Sequence, residues 1–163
     1  MEISELLQKE RIRQGKQYSD FFFLLHRLNR GYHQHIVKIV QEIGLTKGQP
    51  LALLFLDSRE SMTQRELCDC LKIKPASMTD ILQRMEKNGL ILRKRGEKDL
   101  RTMRVSITEK GREKAKEFLQ REAALDDVFF RGFTPEEKEG FLGCFAKMTE
   151  NLMTEPDNEE AET

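Results

Sequence analysis

Residues 63–108 read TQRELCDCLKIKPASMTDILQRMEKNGLILRKRGEKDLRTMRVSIT, and the hydrophobic period changes within them. Thr63 followed three residues later by Glu66 is a capping box, in which hydroxyl and carboxylate each take a free amide at a helix start. Leu67 and Leu71 then share one face of a short helix. Lys72-Ile73-Lys74 is a tight connection with Ile73 as its buried anchor. Pro75 opens a second helix, where its missing amide costs nothing. Met78, Ile81, Leu82 and Met85 form that helix's apolar face, and Asn88-Gly89 ends it. From Leu90 onward the period is two. Residues 90–95 read as one strand, and Met103, Val105 and Ile107, alternating with Arg104, Ser106 and Thr108, read as another. Residues 96–101 make a charged hairpin tip. Two short helices, a tight turn and a two-stranded hairpin define a winged helix-turn-helix. The second helix of such a unit can enter the major groove of DNA, and its wing can reach the adjacent minor groove.

Charge points the same way. The 163 residues hold 28 Lys/Arg and 28 Asp/Glu, so the net charge is zero. The charges are segregated, however. Residues 59–116 carry sixteen Lys/Arg against nine Asp/Glu, a balance of +7, while residues 1–58 stand at +2 and residues 117–163 at −9. A basic block that coincides with a helix-turn-helix suits a polyanion-binding face on an acidic body.

Several classes are disfavoured. No apolar stretch approaches the ~18 residues a membrane span needs. Met1-Glu2-Ile3-Ser4-Glu5 lacks the basic start and apolar run of a signal peptide. Three cysteines do not make a disulfide framework and suit a reducing cytosol. The expectation is a cytoplasmic chain with no membrane partner, long enough to bury a core without metal or disulfide staples.

Outside residues 63–108 the pattern is helical. Phe21, Leu25, Leu28, Tyr32, Ile36, Ile39 and Ile43 recur at three- and four-residue steps, which predicts a helix over 18–43, with a weaker arm over 3–12. Gly44 suits its end. Thr46 reads as the cap of a helix to about Asp57, with Pro50 late in the first turn. Thr108 reads as the cap of one long helix to Arg131, with Phe118, Leu119, Ala123, Leu125 and Phe129 on its apolar side. Gly132 breaks it. Thr134 and Glu137 form a second capping box, and Phe141, Leu142, Phe145, Met148 and Leu152 line the last helix. Residues 155–163, with five acids and no base, read as a disordered tail. The fold class is therefore mainly α with a small two-stranded β wing. The division is an N-terminal arm and dimerisation helix over 1–44, the winged helix-turn-helix over 45–108, C-terminal dimerisation helices over 109–154 and the tail over 155–163.

Over residues 18–153 the order of elements and several short motifs resemble the MarR family of transcription regulators. Leu45-Thr46-Lys47-Gly48-Gln49 matches the family's L-T-x-x-Q entry. Thr63-Gln64-Arg65-Glu66-Leu67 matches the start of the helix before the recognition helix. Pro75-Ala76-Ser77-Met78-Thr79 and Met85-Glu86-Lys87-Asn88-Gly89-Leu90-Ile91 look like the recognition helix and its exit. Asp99-Leu100-Arg101, then Val105 and Ile107-Thr108-Glu109-Lys110-Gly111, match the wing signature, with Leu100 where many members carry a second arginine. The resemblance implies a homodimer with interlocked terminal helices, and two recognition helices about one DNA turn apart on a pseudo-palindromic site. It implies a repressor released by a small, often aromatic, ligand at the junction of arm and reading head. It also implies a wing-tip Arg101 in the minor groove, oriented by Asp99.

The partner this reading assigns is double-stranded DNA, and the chemistry falls on named residues. Ser77, Thr79 and Gln83 offer hydrogen-bonding groups to base edges or phosphates, and Arg84 suits guanine or phosphate. Asp80 either accepts from cytosine or holds Arg84 at i+4. Arg93, Lys94, Arg95, Lys98 and Arg104 supply phosphate attraction collectively. Phe21, Phe22, Phe23, Tyr32 and Phe55 could line a ligand cleft, although aromatics at helical spacing are more often core. His26, His33 and His35 include no i,i+4 pair and read as core or interface residues. Cys68-Asp69-Cys70 is not a C-x-x-C motif, so these thiols read as buried and structural, with Cys144 among the apolar residues of the last helix. No metal site, cofactor motif or enzyme signature is found. Two alternatives stand beside the regulator: a winged-helix module that docks an acidic protein, and a metal- or redox-sensing regulator.

Overall fold

Ser19 starts the first helix in the computed structural model, which describes residues 19–59, 61–95 and 103–154. The expected arm over 3–12, the wing tip and the acidic tail lie outside the described residues. The Ser19 hydroxyl accepts from Phe22 N at 3.2 Å, and α1 runs Asp20–Glu42. It ends in a Schellman turn. Gly44 takes φ +73°, its amide donates to Gln41 O at 3.0 Å, and Leu45 N donates to Val40 O at 2.8 Å. Ile39, Val40 and Ile43 at this end are buried, whereas Phe21, Phe22, Leu24, Leu25, Leu28 and Tyr32 of the same stripe are exposed.

α2 spans Gln49–Asp57, two residues later than a Thr46 cap would place it. Thr46 instead opens a turn, its amide donating to Gln49 Oε1 at 2.9 Å and its carbonyl accepting from Gln49 N at 3.1 Å. Gly48, at φ +86°, is the actual N-cap. That places Pro50 inside the first turn, where no amide is required, so its position is favourable rather than awkward.

The remaining elements are β1 (Met62–Thr63), α3 (Gln64–Leu71), α4 (Pro75–Lys87), β2 (Ile91–Arg95), β3 (Met103–Ile107), α5 (Glu109–Ala123), α6 (Leu125–Phe129) and α7 (Pro135–Thr154). The sheet has three antiparallel strands in the order β1-β3-β2, not the two of the sequence reading. β1 is only two residues long, and one of them is the capping Thr63. Its backbone pairs with Arg104 while its side chain caps α3. The expected single helix to Arg131 is also divided. The break falls at Ala124, which keeps helical dihedrals (φ −66°, ψ −15°), so no propensity breaker marks it.

The chain forms two compact units, one through Glu122 and one from Ala123. In the first, Leu53 and Leu56 of α2, Leu67 of α3, Met78, Leu82 and Met85 of α4, and Met62, Ile91 and Val105 of the sheet are fully buried. Each such side chain contributes ~1.5–3 kcal/mol over an exposed one. In the second unit, Thr134 and Glu137 form the capping box expected of them, with bonds of 2.8 and 3.2 Å. Phe130 meets Phe133 and Phe141 edge-on, and Phe141 stacks on Phe145. No residue of α7 is buried.

α4 ends in the same way as α1. Gly89 adopts φ +70°, its amide donates to Glu86 O at 2.9 Å, and Leu90 N donates to Met85 O at 2.9 Å. The start of α5 grips this turn. Thr108 N donates to Leu90 O at 3.0 Å, the Thr108 hydroxyl to Gly89 O at 2.7 Å, and Lys110 Nζ to Asn88 O at 2.8 Å. Gly111 makes the approach feasible, because a Cβ there would collide with the Leu90 carbonyl oxygen and lie 2.7 Å from Ile107 Cγ1. Gly111→Ala is accordingly expected to destabilise the protein by about 3 kcal/mol, at the upper end of overpacking costs. Urea unfolding measures this, and a loss below about 0.5 kcal/mol would show that the joint yields freely.

Candidate nucleic-acid interface

The candidate surface is built on α4. Its inner side holds Met78, Leu82 and Met85; Ala76, Ser77, Asp80, Gln83, Arg84 and Lys87 are exposed on the other side. Ser77, Gln83 and Arg84 therefore stand where the sequence places them. Asp80 and Arg84, although at i,i+4, form no ion pair among the described residues. The expected Asp80 hold on Arg84 is absent, and the guanidinium keeps its charge for another partner. Lys87 shares this face and was missed, although its i+3 spacing from Arg84 could have found it.

Thr79 is already engaged. Its hydroxyl donates to Pro75 O at 3.0 Å and accepts from Gln64 Nε2 at 2.7 Å, while Gln64 Nε2 also lies 3.2 Å from Pro75 O. Gln64 thus ties the first turn of α3 to the first turn of α4 and sets the angle between them. Nothing in the spacing distinguishes Gln64 beforehand. The start of α4 has no side-chain cap, since its N-cap is Lys74. The amides of Ala76 and Ser77 face outward without an intrahelical acceptor, an arrangement that favours an anion. Beside them, Arg65, Lys72 and Lys74 rim an open cavity of about 770 Å³ between α3 and α4.

The wing strands add charge unevenly. Lys94 lies directly opposite Arg104 in the β2–β3 register, and Arg95 opposite Met103. Two like charges so placed cost roughly 0.2–1 kcal/mol in an isolated sheet, a cost that a bound polyanion removes. Arg104 is held in place, its Nε donating to Ser61 Oγ at 2.6 Å and its Nη2 to Ser61 O at 2.8 Å. Arg93 points the other way, on the sheet face of Ile91, with its side chain 18% exposed and Nε 3.3 Å from Glu86 Oε2. Lys98, Asp99 and Arg101 lie outside the described residues.

The weaker candidates separate clearly. Cys68 is buried, and burial, with Asp69 beside it, pushes its thiol above the usual range, away from the reactive thiolate. Cys70 is half-buried. Cys144 is exposed, not packed among apolar neighbours, because α7 buries nothing within one chain. His26, His33 and His35 are likewise exposed on α1 rather than in a core. Among the described residues, no group of three or more His, Cys, Asp or Glu is arranged to hold a metal. Of the aromatic set, Phe21, Phe22 and Tyr32 are exposed and Phe55 is half-buried. Tyr32 has its hydroxyl held above the usual range, by burial first and then by the Glu122 carboxylate. No helix of the described residues is long and apolar enough to cross a membrane.

A helix-turn-helix with an exposed polar second helix, braced by a basic antiparallel sheet, defines a winged-helix protein of the DNA-binding class. The sequence model of the MarR family matches residues 43–102, from the end of α1 to the wing. An organic hydroperoxide resistance transcriptional regulator from Bacillus subtilis is 36% identical over 89 residues, which cover 55% of this chain and 60% of that protein. A MarR transcriptional regulator from Methanosarcina mazei superposes with a TM-score of 0.70 at 26% identity, covering 83% of this chain and 98% of that one. The transcriptional repressor CouR, in complex with a 23-mer DNA duplex, shares the fold with a TM-score of 0.67 at 23% identity, over 78% of this chain and 90% of that one. Residues 43–102 of the chain thus match the MarR family, and the matched relatives are transcription regulators rather than enzymes.

The Thr63 cap supports this surface from below. Thr63 N donates to Glu66 Oε2 at 2.6 Å and Glu66 N to Thr63 Oγ1 at 3.2 Å. The Thr63 amide first, and then the Thr63 hydroxyl beside it, hold the Glu66 carboxyl below its usual range, with Arg104 and Arg59 adding to them. Because the folded pKa is depressed, this contribution is complete above the unfolded value near 4.5 and disappears as pH falls through the lower folded value. Thr63→Ala is expected to cost about 1 kcal/mol at neutral pH. Glu66→Gln is expected to flatten the acid limb of the stability profile below pH ~5. Urea titrations across that range measure both effects.

Proposed function

We propose that the chain is a homodimeric regulator that binds double-stranded DNA, represses transcription in the bacterial cytoplasm, and is released by a small, aromatic-type ligand. The observation that carries this reading is the face of α4. Ser77, Gln83, Arg84 and Lys87 stand exposed beside an uncapped helix start and the Lys94–Arg104 pair. An α-helix fits the major groove, and short hydroxyl, amide and guanidinium groups match base edges and phosphates. Arg95 and Lys98 join as phosphate contacts, and Arg101, oriented by Asp99, reaches the minor groove. Thr79 contributes by fixing the helix through Gln64. That CouR, with the same fold, is a repressor seen on a DNA duplex supports the choice of partner and output.

Dimerisation is supported by exposed apolar side chains that one chain leaves uncovered. Phe21 is 58% exposed and Phe22 50%, with Leu24, Leu25 and Leu28 following on α1, and Phe141, Leu142, Phe145 and Leu152 on α7. A twofold pair would cover them and set two α4 helices on successive turns of DNA.

Selection from a genomic fragment library, in physiological salt with excess competitor DNA, tests the function. A recovered pseudo-palindrome is expected, and a folded dimer that recovers no preferred sequence would overturn the proposal. On the recovered site, Arg101→Ala is expected to weaken binding at fixed salt with the melting temperature unchanged. Fluorescence anisotropy measures the affinity, and an unchanged Kd would remove Arg101 from the interface. Leu25→Ser with Leu28→Ser is expected to yield monomer in sedimentation at micromolar concentration, where the parent chain sediments as a dimer.

A further inference from the structure

We propose that Arg93, paired with Glu86, is a positioning residue that locks the wing to the recognition helix and makes no contact with a DNA phosphate. The inference rests on the DNA-binding reading above. Three observations carry it. Arg93 shares the inner face of the sheet with Ile91 and lies opposite Val105, and both of those neighbours are fully buried. Its Nε and Nη2 are shielded from solvent and make no hydrogen bond among the described residues, while Glu86 Oε2 lies 3.3 Å from Nε. Glu86 in turn occupies the last turn of α4, where the helix dipole disfavours a carboxylate unless a cation stands nearby.

Each charge of the pair is therefore tolerable because of the other. An arginine side chain that is 18% exposed, with its Nε and Nη2 shielded, is costly without a carboxylate, and a carboxylate on a surface facing DNA is repelled without a guanidinium. Together they present no net charge, so they release no counterion when DNA binds. Counterion release is what the salt dependence of binding counts. The pair also joins two parts of the reading surface that the sequence separates, the end of α4 and the first half of the wing. A wing that swivels relative to α4 cannot engage the minor groove while α4 sits in the major groove. The loss on breaking the pair should thus fall on the preferred site and spare random DNA.

The parent protein, Arg93→Met and Glu86→Gln are compared on the site recovered from the library and on a random-sequence duplex of about 30 bp, each over a salt series. Arg93→Met is expected to weaken the preferred site about tenfold, comparable to one misplaced base contact. Its affinity for the random duplex and both salt slopes should not change. A slope reduced by about 1, with uniform weakening on both duplexes, is the signature of a lost phosphate contact and would overturn the proposal. Glu86→Gln alters a half-exposed side chain and should fold whatever happens to Arg93→Met. It is expected to weaken the preferred site while steepening the salt slope on random DNA, because an unpaired arginine is then free to meet phosphate. No change in either quantity would also overturn the proposal. A third readout needs no DNA. The Arg93 Nε–H signal in nitrogen-15 spectra should exchange with water more slowly than that of Arg95, and should lose this protection in Glu86→Gln. Equal exchange of the two arginines in the parent protein would refute the pairing even if the library yields no preferred sequence.

Discussion

The turn at Asn88-Gly89-Leu90 is the constraint on which the reading head depends. The carbonyls of Leu90, Gly89 and Asn88, which follow the last residue of α4, accept from Thr108 N, the Thr108 hydroxyl and Lys110 Nζ respectively. These bonds fasten the turn that follows α4 to the start of α5, while the helix's own last carbonyls are taken by Asn88 N, Gly89 N and Leu90 N within the turn. The same turn aims the chain into β2, so helix, wing and α5 diverge from one point. Gly89 supplies the left-handed backbone, and Gly111 supplies the absence of a side chain. From this joint α5 extends to Arg121, whose guanidinium lies 2.9 Å from Glu42 on α1, while Arg112 meets Asp57 on α2. These exposed pairs contribute little energy. Their importance is geometric, because they fix the direction of α5 against both helices that precede the helix-turn-helix.

Much of this was legible in the sequence because the signals are local. The two capping boxes, the Pro75 start and the Gly44 and Gly89 ends each follow from chemistry within four residues. The start of α2 was not legible. Thr46 offers a cap, but Gln49 reaches back to the Thr46 amide first, and only the three-dimensional turn reveals that competition. β1 was missed because its two residues pair with β3 some forty positions away, and a strand that short has no period of its own. The division at Ala124 left no local trace at all.

The site was legible by residue type and less so by role. Periodicity separated Ser77, Gln83 and Arg84 from the buried face of α4. It could not show that Thr79 is occupied by Gln64, because that bond spans fifteen residues. Charge counting treated the basic residues of the block as equals, and geometry distinguishes them. Lys110 caps a helix, Arg104 is held by Ser61, Arg93 lies inside the sheet beside Glu86, and Arg112 faces Asp57. A +7 segment therefore presents fewer mobile cations than its composition suggests. Those left exposed on the α4 and β2 surface, Arg84, Lys87, Lys94 and Arg95, form the more selective set.

The same reasoning explains why the terminal helices belong in an account of function. A helix of about 20 residues is marginal in water by propensity alone, and most helices are stabilised by the face they bury. α7 buries no residue within one chain, and α1 buries only its last two turns. The polar sides of these helices cannot supply the missing stabilisation, since exposed ion pairs contribute tenths of a kcal/mol each. Covering their apolar stripes with a second copy would supply it, at about 25 cal/mol per Å² of apolar area removed from water. Association and the order of these helices would then be one equilibrium, dependent on protomer concentration. A ligand that binds among the α1 aromatics would act on that shared equilibrium, and so on the spacing of the two α4 helices, without touching either one.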